Sequence, residues 1–349
     1  MKKLSLLVFL GFVVSSCTKA PTSSSNYLTP QAVAVYVLNQ GNYGQGNASL
    51  TAYFPDSNYA ETDLFKLANS MNLGDVGNDI QLYNGDAYMV INNSDKVVVM
   101  DASTALYIGT VYFPSGTSPY RIAFYNPSNI AFVSDLYTNS VSVVNLTSNT
   151  VITQDTIPVG PEPYGIACAF GEVCVANSGY GSGNTVSIIN ADTRKVVKTV
   201  TVGNGPTEVE PDRDGNFWVV CAGDTSYDGW IYIVSASSNS VIDSVAIGKQ
   251  IPSFTGHTLA MDGQDGVAYL IADSSVVKLN MSNRTIMNSD LMNGNFYSIA
   301  ADGATGDVYV TEANSGTADG KVYIYTSSGQ YTNRSFTAGI YPDGIAFVR

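Results

Sequence analysis

His257 is the only histidine in the 349 residues. Chemistry that needs an imidazole, whether a Ser-His-Asp relay or a metal ligand, therefore has one position to use. The chain has no Gly-x-Ser-x-Gly elbow, and no carboxylates or thiols are arranged around His257 at zinc-ligand spacing. Acids such as Asp79 and Glu208 become an acid–base pair only if the fold sets them across from one another. Three stretches, DRDGN (212–216), DGQDG (262–266) and ADGATGD (301–307), resemble calcium loops. All three fall where a hairpin turn needs Asp and Gly, and DRDGN lacks the later Glu of an EF-hand. SGYGSGN (178–184) is glycine-rich but has no Lys-Ser/Thr to hold a phosphate. These residues point away from an enzyme: no catalytic residue, protein-held metal or cofactor is expected.

Binding is the other chemistry to consider, and it depends on what positions the side chains. An alternating strand recurs seven times: VYVLN (35–39), AYMVIN (87–92), AFVSD (131–135), VCVAN (173–177), FWVVC (217–221), AYLIAD (268–273) and VYVTE (308–312). Its large residues, Tyr36, Tyr88, Phe132, Cys174, Trp218, Tyr269 and Tyr309, are 52, 44, 42, 44, 51 and 40 apart. Two further alternating strands follow each copy, and an Ile-Ala strand precedes every copy but the first. Calling the Ile-Ala strand A and the others B, C and D, four short antiparallel strands per 40–50 residues predict an all-β, seven-bladed β-propeller over residues 33–349. The first unit lacks strand A, and the chain ends on PDGIAFV, an A strand with no B strand after it. The C-terminal strand should therefore complete the N-terminal blade and close the ring, leaving no free sheet edge.

In such a ring strand A lines the channel, and the D–A and B–C loops share one face. The residue pairs entering strand A are Asn78-Asp79, Tyr120-Arg121, Tyr164-Gly165, Thr207-Glu208, His257-Thr258, Tyr297-Ser298 and Asp343-Gly344. They differ in every blade, as an asymmetric ligand would require. A second tier comes from the ends of the B strands and their loops: Asn39, Asn92, Asp135, Asn177, Asp273 and Asn314, with Tyr43, Tyr137, Tyr180, Tyr227 and Trp230. Tyrosine offers a broad apolar face and a hydroxyl at small rotamer cost, so this face suits a large ligand of mixed polarity. The plainer alternative is that Asn and Gly make turns, Tyr caps blade ends, and His257 is hydrogen-bonded structure.

The first residues follow a different pattern. Lys2-Lys3, the apolar run Leu4–Val14 and Val14-Ser15-Ser16-Cys17 read as a lipoprotein signal (1–16) with lipidated Cys17. A Ser/Thr/Pro-rich tether (17–32) would follow, with the membrane reached through the lipid alone. Net charge is −13, and −15 without Lys2 and Lys3, which argues against a nucleic-acid partner. Cys168 and Cys174 flank a tight turn and could meet only across a three-residue loop. Cys168 also takes the repeat position of Phe124, Met261 and Phe347, so a buried free thiol is expected there.

PEPYGIA (161–167) followed by VCVANSGYGSGNTVSIINADTRKVVKTVTVGNGP resembles the YncE-like, YVTN-type propellers. NDIQLYNGDAYMVINNSDKVVVMDA (78–102) and SPYRIAFYNPSNIAFVSD (118–135) look like the lipid-anchored propellers of Bacteroidetes, the DUF5074 group. That group includes surface proteins that capture vitamin B12 and related corrinoids for a TonB-dependent outer-membrane transporter. The resemblance implies a non-catalytic, surface-displayed capture protein, with His257 as a candidate partner for cobalt. TKAPTSSS after Cys17 lacks the acidic residues of a surface-export signal, so a periplasm-facing lipoprotein stays open. The alternatives are a protein- or glycan-binding propeller acting as envelope scaffold or adhesin, and a propeller hydrolase or lyase.

Overall fold

A computed structural model describes residues 30–152, 155–223, 229–253 and 256–349. The proposed signal segment, Cys17, the tether up to residue 29 and Tyr227 lie outside the described residues. Seven sheets are arranged A-B-C-D from the axis outwards, and neighbouring A strands pack against one another around the channel. In the third blade the outermost strand is split into Thr150–Val151 and Ile157–Pro158, so that sheet counts five strands. The ring closes as the terminal half-units require. Pro342–Val348 pairs antiparallel with Ala34–Asn39, with Tyr36 opposite Ala346 and Val35 opposite Phe347. Among the described residues no helix is long and apolar enough to cross a membrane.

The repeated large residue of strand B explains why the blades stack. Tyr36, Tyr88, Phe132, Cys174, Trp218, Tyr269 and Tyr309 each enter a different apolar cluster, and each cluster joins two adjacent blades. Period-two alternation sends one large side chain per blade into the interface, where burial of its apolar surface drives the packing. Cys174 is too small for that place, and the fully buried Phe217 of the next blade fills the same cluster.

The Asp/Gly stretches are A–B turns whose acids cap their own backbone. Asp212 Oδ1 accepts from the N–H of Asp214 and Asn216, and Asp262 Oδ1 from those of Gln264 and Asp265. Ala169 faces Glu172 across the two-residue turn Phe170-Gly171, both at positive φ. Cys168 therefore faces Val173 rather than Cys174, and Cys168, Cys174 and Cys221 are free thiols. Cys168 is only half-buried.

In five blades strand A enters its sheet through a β-bulge; Leu259–Asp262 and Ile299–Asp302 pair without one. Between Pro119–Asp135 and Ile122–Val133 two residues, Tyr120 and Arg121, oppose one. The same irregularity occurs at Gly77/Asp79, Pro163/Ile166 and Pro206/Glu208, and in the closing blade. The residue before each bulge, Val76, Ser118, Glu162, Gly205 or Tyr341, has positive φ. A bulge leaves residues out of the ladder and re-aims their side chains. Here it turns the entry pairs of strand A towards the axis.

The amides at the end of strand B latch this entry. Asn177 Nδ2 donates to Thr185 Oγ1 and Ser187 Oγ, and its Oδ1 accepts from Gly160 N–H at 3.0 Å. Asn39 does the same with Ser49, Thr51 and Gly339. Both glycines lie against the amide, since a Cβ at Gly160 would come within 2.5 Å of Asn177 Cγ. Replacing Asn177 with alanine strands one buried and two half-buried groups and should lower the unfolding free energy by about 1–3 kcal/mol. A urea midpoint equal to that of the parent would show that the latch carries nothing.

Candidate functional site

The bulges bring the charged entry residues together inside the channel. Asp79, Arg121, Glu208 and Asp343 are all buried, Asp79 and Asp343 to 1% exposure. His257 sits between the acids of two other blades: Nδ1 is 2.9 Å from Glu208 Oε1 and Nε2 is 3.4 Å from Asp79 Oδ1. Arg121 Nη1 reaches Asn78 O and lies 3.6 Å from Asp343 Oδ2. Backbone donors complete the set. Glu208 Oε2 accepts from Thr258 N (2.7 Å), Thr258 Oγ1 (2.7 Å) and Leu259 N (2.9 Å). Ile122 N donates to Asp79 Oδ2, and His257 N to Asp343 Oδ1. Gln40 bridges outward, donating to Asp343 and accepting from the Tyr297 hydroxyl.

Electrostatics follow from that geometry. Burial and the Arg121 charge push the His257 pKa down, but the hydrogen bonds to Asp79 and Glu208 and the charge of Asp343 outweigh them and raise it to about 10. The imidazole is thus charged at neutral pH. Burial pushes Asp79 and Glu208 up, and in each the His257 hydrogen bond and charge, with Arg121, bring the net shift below the ordinary carboxylate value. Glu210, two residues beyond Glu208 on the same strand face, feels the His257 and Arg121 charges but makes no hydrogen bond to either among the described residues. Burial and the neighbouring Glu208 push its carboxyl up to about 8.

Above this network the mouth is aromatic. Tyr120 and Tyr164 stack with ring centroids 4.6 Å apart, and Tyr180 meets Tyr164 edge-on at 6.3 Å. Arg121 Cζ lies 5.3 Å from the Tyr120 ring centre. Tyr164 is buried and Tyr120 half-buried, while Tyr180 is 47% and Tyr137 60% exposed. Burial of Tyr180 and its hydrogen bond with Tyr137 raise its hydroxyl pKa to about 12, so the Tyr180 phenol stays neutral. Tyr297 packs with Tyr341 across the closing blade, at 5.4 Å.

Other candidates lie apart from this cluster. Tyr43 is exposed on its own loop, where Gly44 N–H donates to Asp75. Asn92 is buried and donates to Pro119 O. Trp230 lines a separate cavity of about 400 Å³ with Cys221 and Tyr232. Thr207 Oγ1 is buried with no hydrogen-bond partner among the described residues, behind Tyr120 and Tyr164 in a crevice of about 10 Å³. That crevice has room for little more than a water, so a large molecule would lie across the mouth rather than enter it.

Three residues at the site were not among the sequence candidates: Glu210, Gln40 and Tyr341. Glu210 had a visible signal. The position paired with the large B residue is Ala123, Ala167, Ala260, Ala300 and Ala346 in five blades, but Gln81 and Glu210 in the other two.

Comparison with known proteins agrees on architecture. The profile described as "Domain of unknown function (DUF5074)" matches residues 34–341. A quinonprotein alcohol dehydrogenase-like protein from Bacteroides thetaiotaomicron superposes with TM-score 0.71 at 14% identity, over 91% of this chain and 78% of that one. A functionally unknown protein from Desulfotomaculum acetoxidans gives TM-score 0.69 at 15% identity, covering 90% and 99%. A streptogramin B lyase gives 0.60 at 13%, covering 77% and 86%. At these identities the likeness is one of fold. No curated protein matches the chain in sequence.

Proposed function

The chain belongs to the DUF5074 family, and we propose that it is a non-catalytic, lipid-anchored binding protein whose tyrosine-lined mouth takes a large molecule of mixed polarity. A corrinoid, passed on to a TonB-dependent transporter at the outer membrane, is the ligand its sequence resemblance implies. The observation that carries this reading is the contiguous cluster Tyr120, Tyr164 and Tyr180, with Tyr137 beside it, opening on the face shared by the D–A and B–C loops. A corrinoid is broad, apolar in parts and rimmed with amides. Phenol faces and hydroxyls match both features. His257 takes no part in this reading, because its ring nitrogens are directed at Glu208 and Asp79 within the channel. Contact would come from phenols and loop amides instead.

Catalysis has less support, since the histidine and the acids facing it neutralise one another. Calorimetric titration of residues 18–349 with cyanocobalamin tests the proposal. Saturable one-to-one binding is expected, weakened at least tenfold, about 1.4 kcal/mol, by Tyr180→Ala. Tyr180 is exposed enough for the change to spare the fold. No heat at high micromolar ligand would sink the corrinoid reading. Binding indifferent to Tyr180→Ala and Tyr137→Ala would move the site elsewhere.

A further inference from the structure

We propose that Glu208, Glu210 and His257 form a binding site for one zinc-class divalent cation in the channel of the propeller. It is separate from the tyrosine mouth and does not depend on what binds there. One donor atom from each of the three residues lies within 4.8 Å of the other two. Metal bonds of roughly 2.0–2.2 Å place neighbouring donors about 3–3.5 Å apart, so small side-chain movements suffice.

The groups around the three residues hold them as the outer partners of a metal site hold its ligands. One oxygen of Glu208 is committed to Thr258 and Leu259, which leaves Oε1 directed at the His257 ring. His257 turns Nε2 towards the Asp79 carboxylate, leaving Nδ1 on the Glu208 side, where the cation takes the place of the Nδ1 proton, which is released to solvent. A carboxylate on the far nitrogen is the usual way a protein orients a metal-binding histidine.

Glu210 is the second, independent observation. Its carboxylate has no hydrogen-bond or ion-pair partner among the described residues. Five of the other blades carry alanine at its register position, so the blade does not need a carboxylate there to pack. Space is also available. A cavity of about 170 Å³ borders Glu210, His257 and Gln81, and a smaller void of about 20 Å³ is lined by Glu208, Glu210, His257, Asp79 and Arg121. Two carboxylates with one imidazole suit zinc or a neighbouring first-row cation better than calcium or magnesium, which take oxygen donors.

The test uses residues 18–349 stripped with a chelator and titrated with zinc chloride, read by calorimetry and by thermal melting. One zinc per chain and a raised melting temperature are expected, with calcium and magnesium at least tenfold weaker. Substituting Glu210 by alanine, the residue of the other blades, should abolish the zinc-induced shift while leaving the metal-free melt unchanged or higher. Glu210→Gln, which keeps the side-chain volume, should behave alike. The proposal is overturned if the parent shows no zinc-dependent shift at millimolar metal. It is equally overturned if both Glu210 variants bind zinc as the parent does, or if calcium binds as tightly as zinc.

Discussion

Replacing His257 with alanine is expected to lower the unfolding free energy by about 3–5 kcal/mol, the range for removing one partner from a buried ion pair. The reason lies in what the substitution leaves behind. Asp79 and Glu208 are 1% and 6% exposed, and each has the imidazolium as its nearest opposite charge. Without it, Asp79 keeps Ile122 N–H and Gln81, and Glu208 keeps Thr258 and Leu259. These donors satisfy lone pairs without cancelling charge, and Arg121, the cation that remains beside them among the described residues, is also shared with Asp343. The loss should therefore depend on the acids. In the His257→Ala background, Asp79→Asn should cost much less than in the parent, or should stabilise, because it removes a charge that no longer has its partner. Urea denaturation of the two single variants and the double variant provides the cycle, run on metal-free protein. Additive effects would show that the imidazole and Asp79 do not act as a pair.

This network also shows where sequence reading stops. The seven blades and their closure were legible because they are local. Alternation is written within each strand, and the terminal half-units complement each other in plain view. The entry pairs of strand A could be placed on the ring for the same reason. Which of them would meet could not be read, since Asp79 and His257 are 178 residues apart in sequence. Their distance depends on blade number, strand tilt and, for Asp79, the bulge at the entry of its strand. The amides of strand B show a different gap. Asn39 and Asn177 belong to the face chosen for ligand contact, yet both are latched inside their own blades. A sign of this was present in strand C, which offers paired hydroxyls opposite them, Ser49/Thr51 and Thr185/Ser187. Likewise Glu210 stood out only against the alanines of the other repeats, a comparison that looks for departures from a pattern rather than for the pattern itself.

The third copy of that latch has an acid where the others have an amide, and this leads to a prediction with the opposite sign. Asp135 Oδ2 accepts from Ser140 Oγ (3.0 Å) and Ser142 Oγ (2.7 Å), as the asparagine amides engage their own hydroxyls. The loop glycine that should serve its second oxygen is Gly116, three residues before Pro119, as Gly160 precedes Pro163. Its N–H goes to Asp95 Oδ2 instead, leaving Asp135 Oδ1 buried without a partner among the described residues. Burial, only partly offset by the two serines and reinforced by Asp95, pushes the Asp135 carboxyl up to about 7 from 3.8. Because the folded value lies above the unfolded one, the stabilising form is the protonated acid. Its contribution is complete below about pH 4 and is lost as pH rises through 7. Asp135→Asn supplies a neutral side chain with a donor for both serines, as Asn177 does, and nothing to ionise. The variant should match the parent near pH 4 and exceed it at pH 8 by up to about 4 kcal/mol, the free-energy equivalent of the shift. Denaturation midpoints of both proteins from pH 4 to pH 8 measure the gap directly. A gap that stays constant with pH, or a variant weaker than the parent at pH 8, would mean that Asp135 is ionised in the fold and that its orphaned oxygen finds a donor in solution.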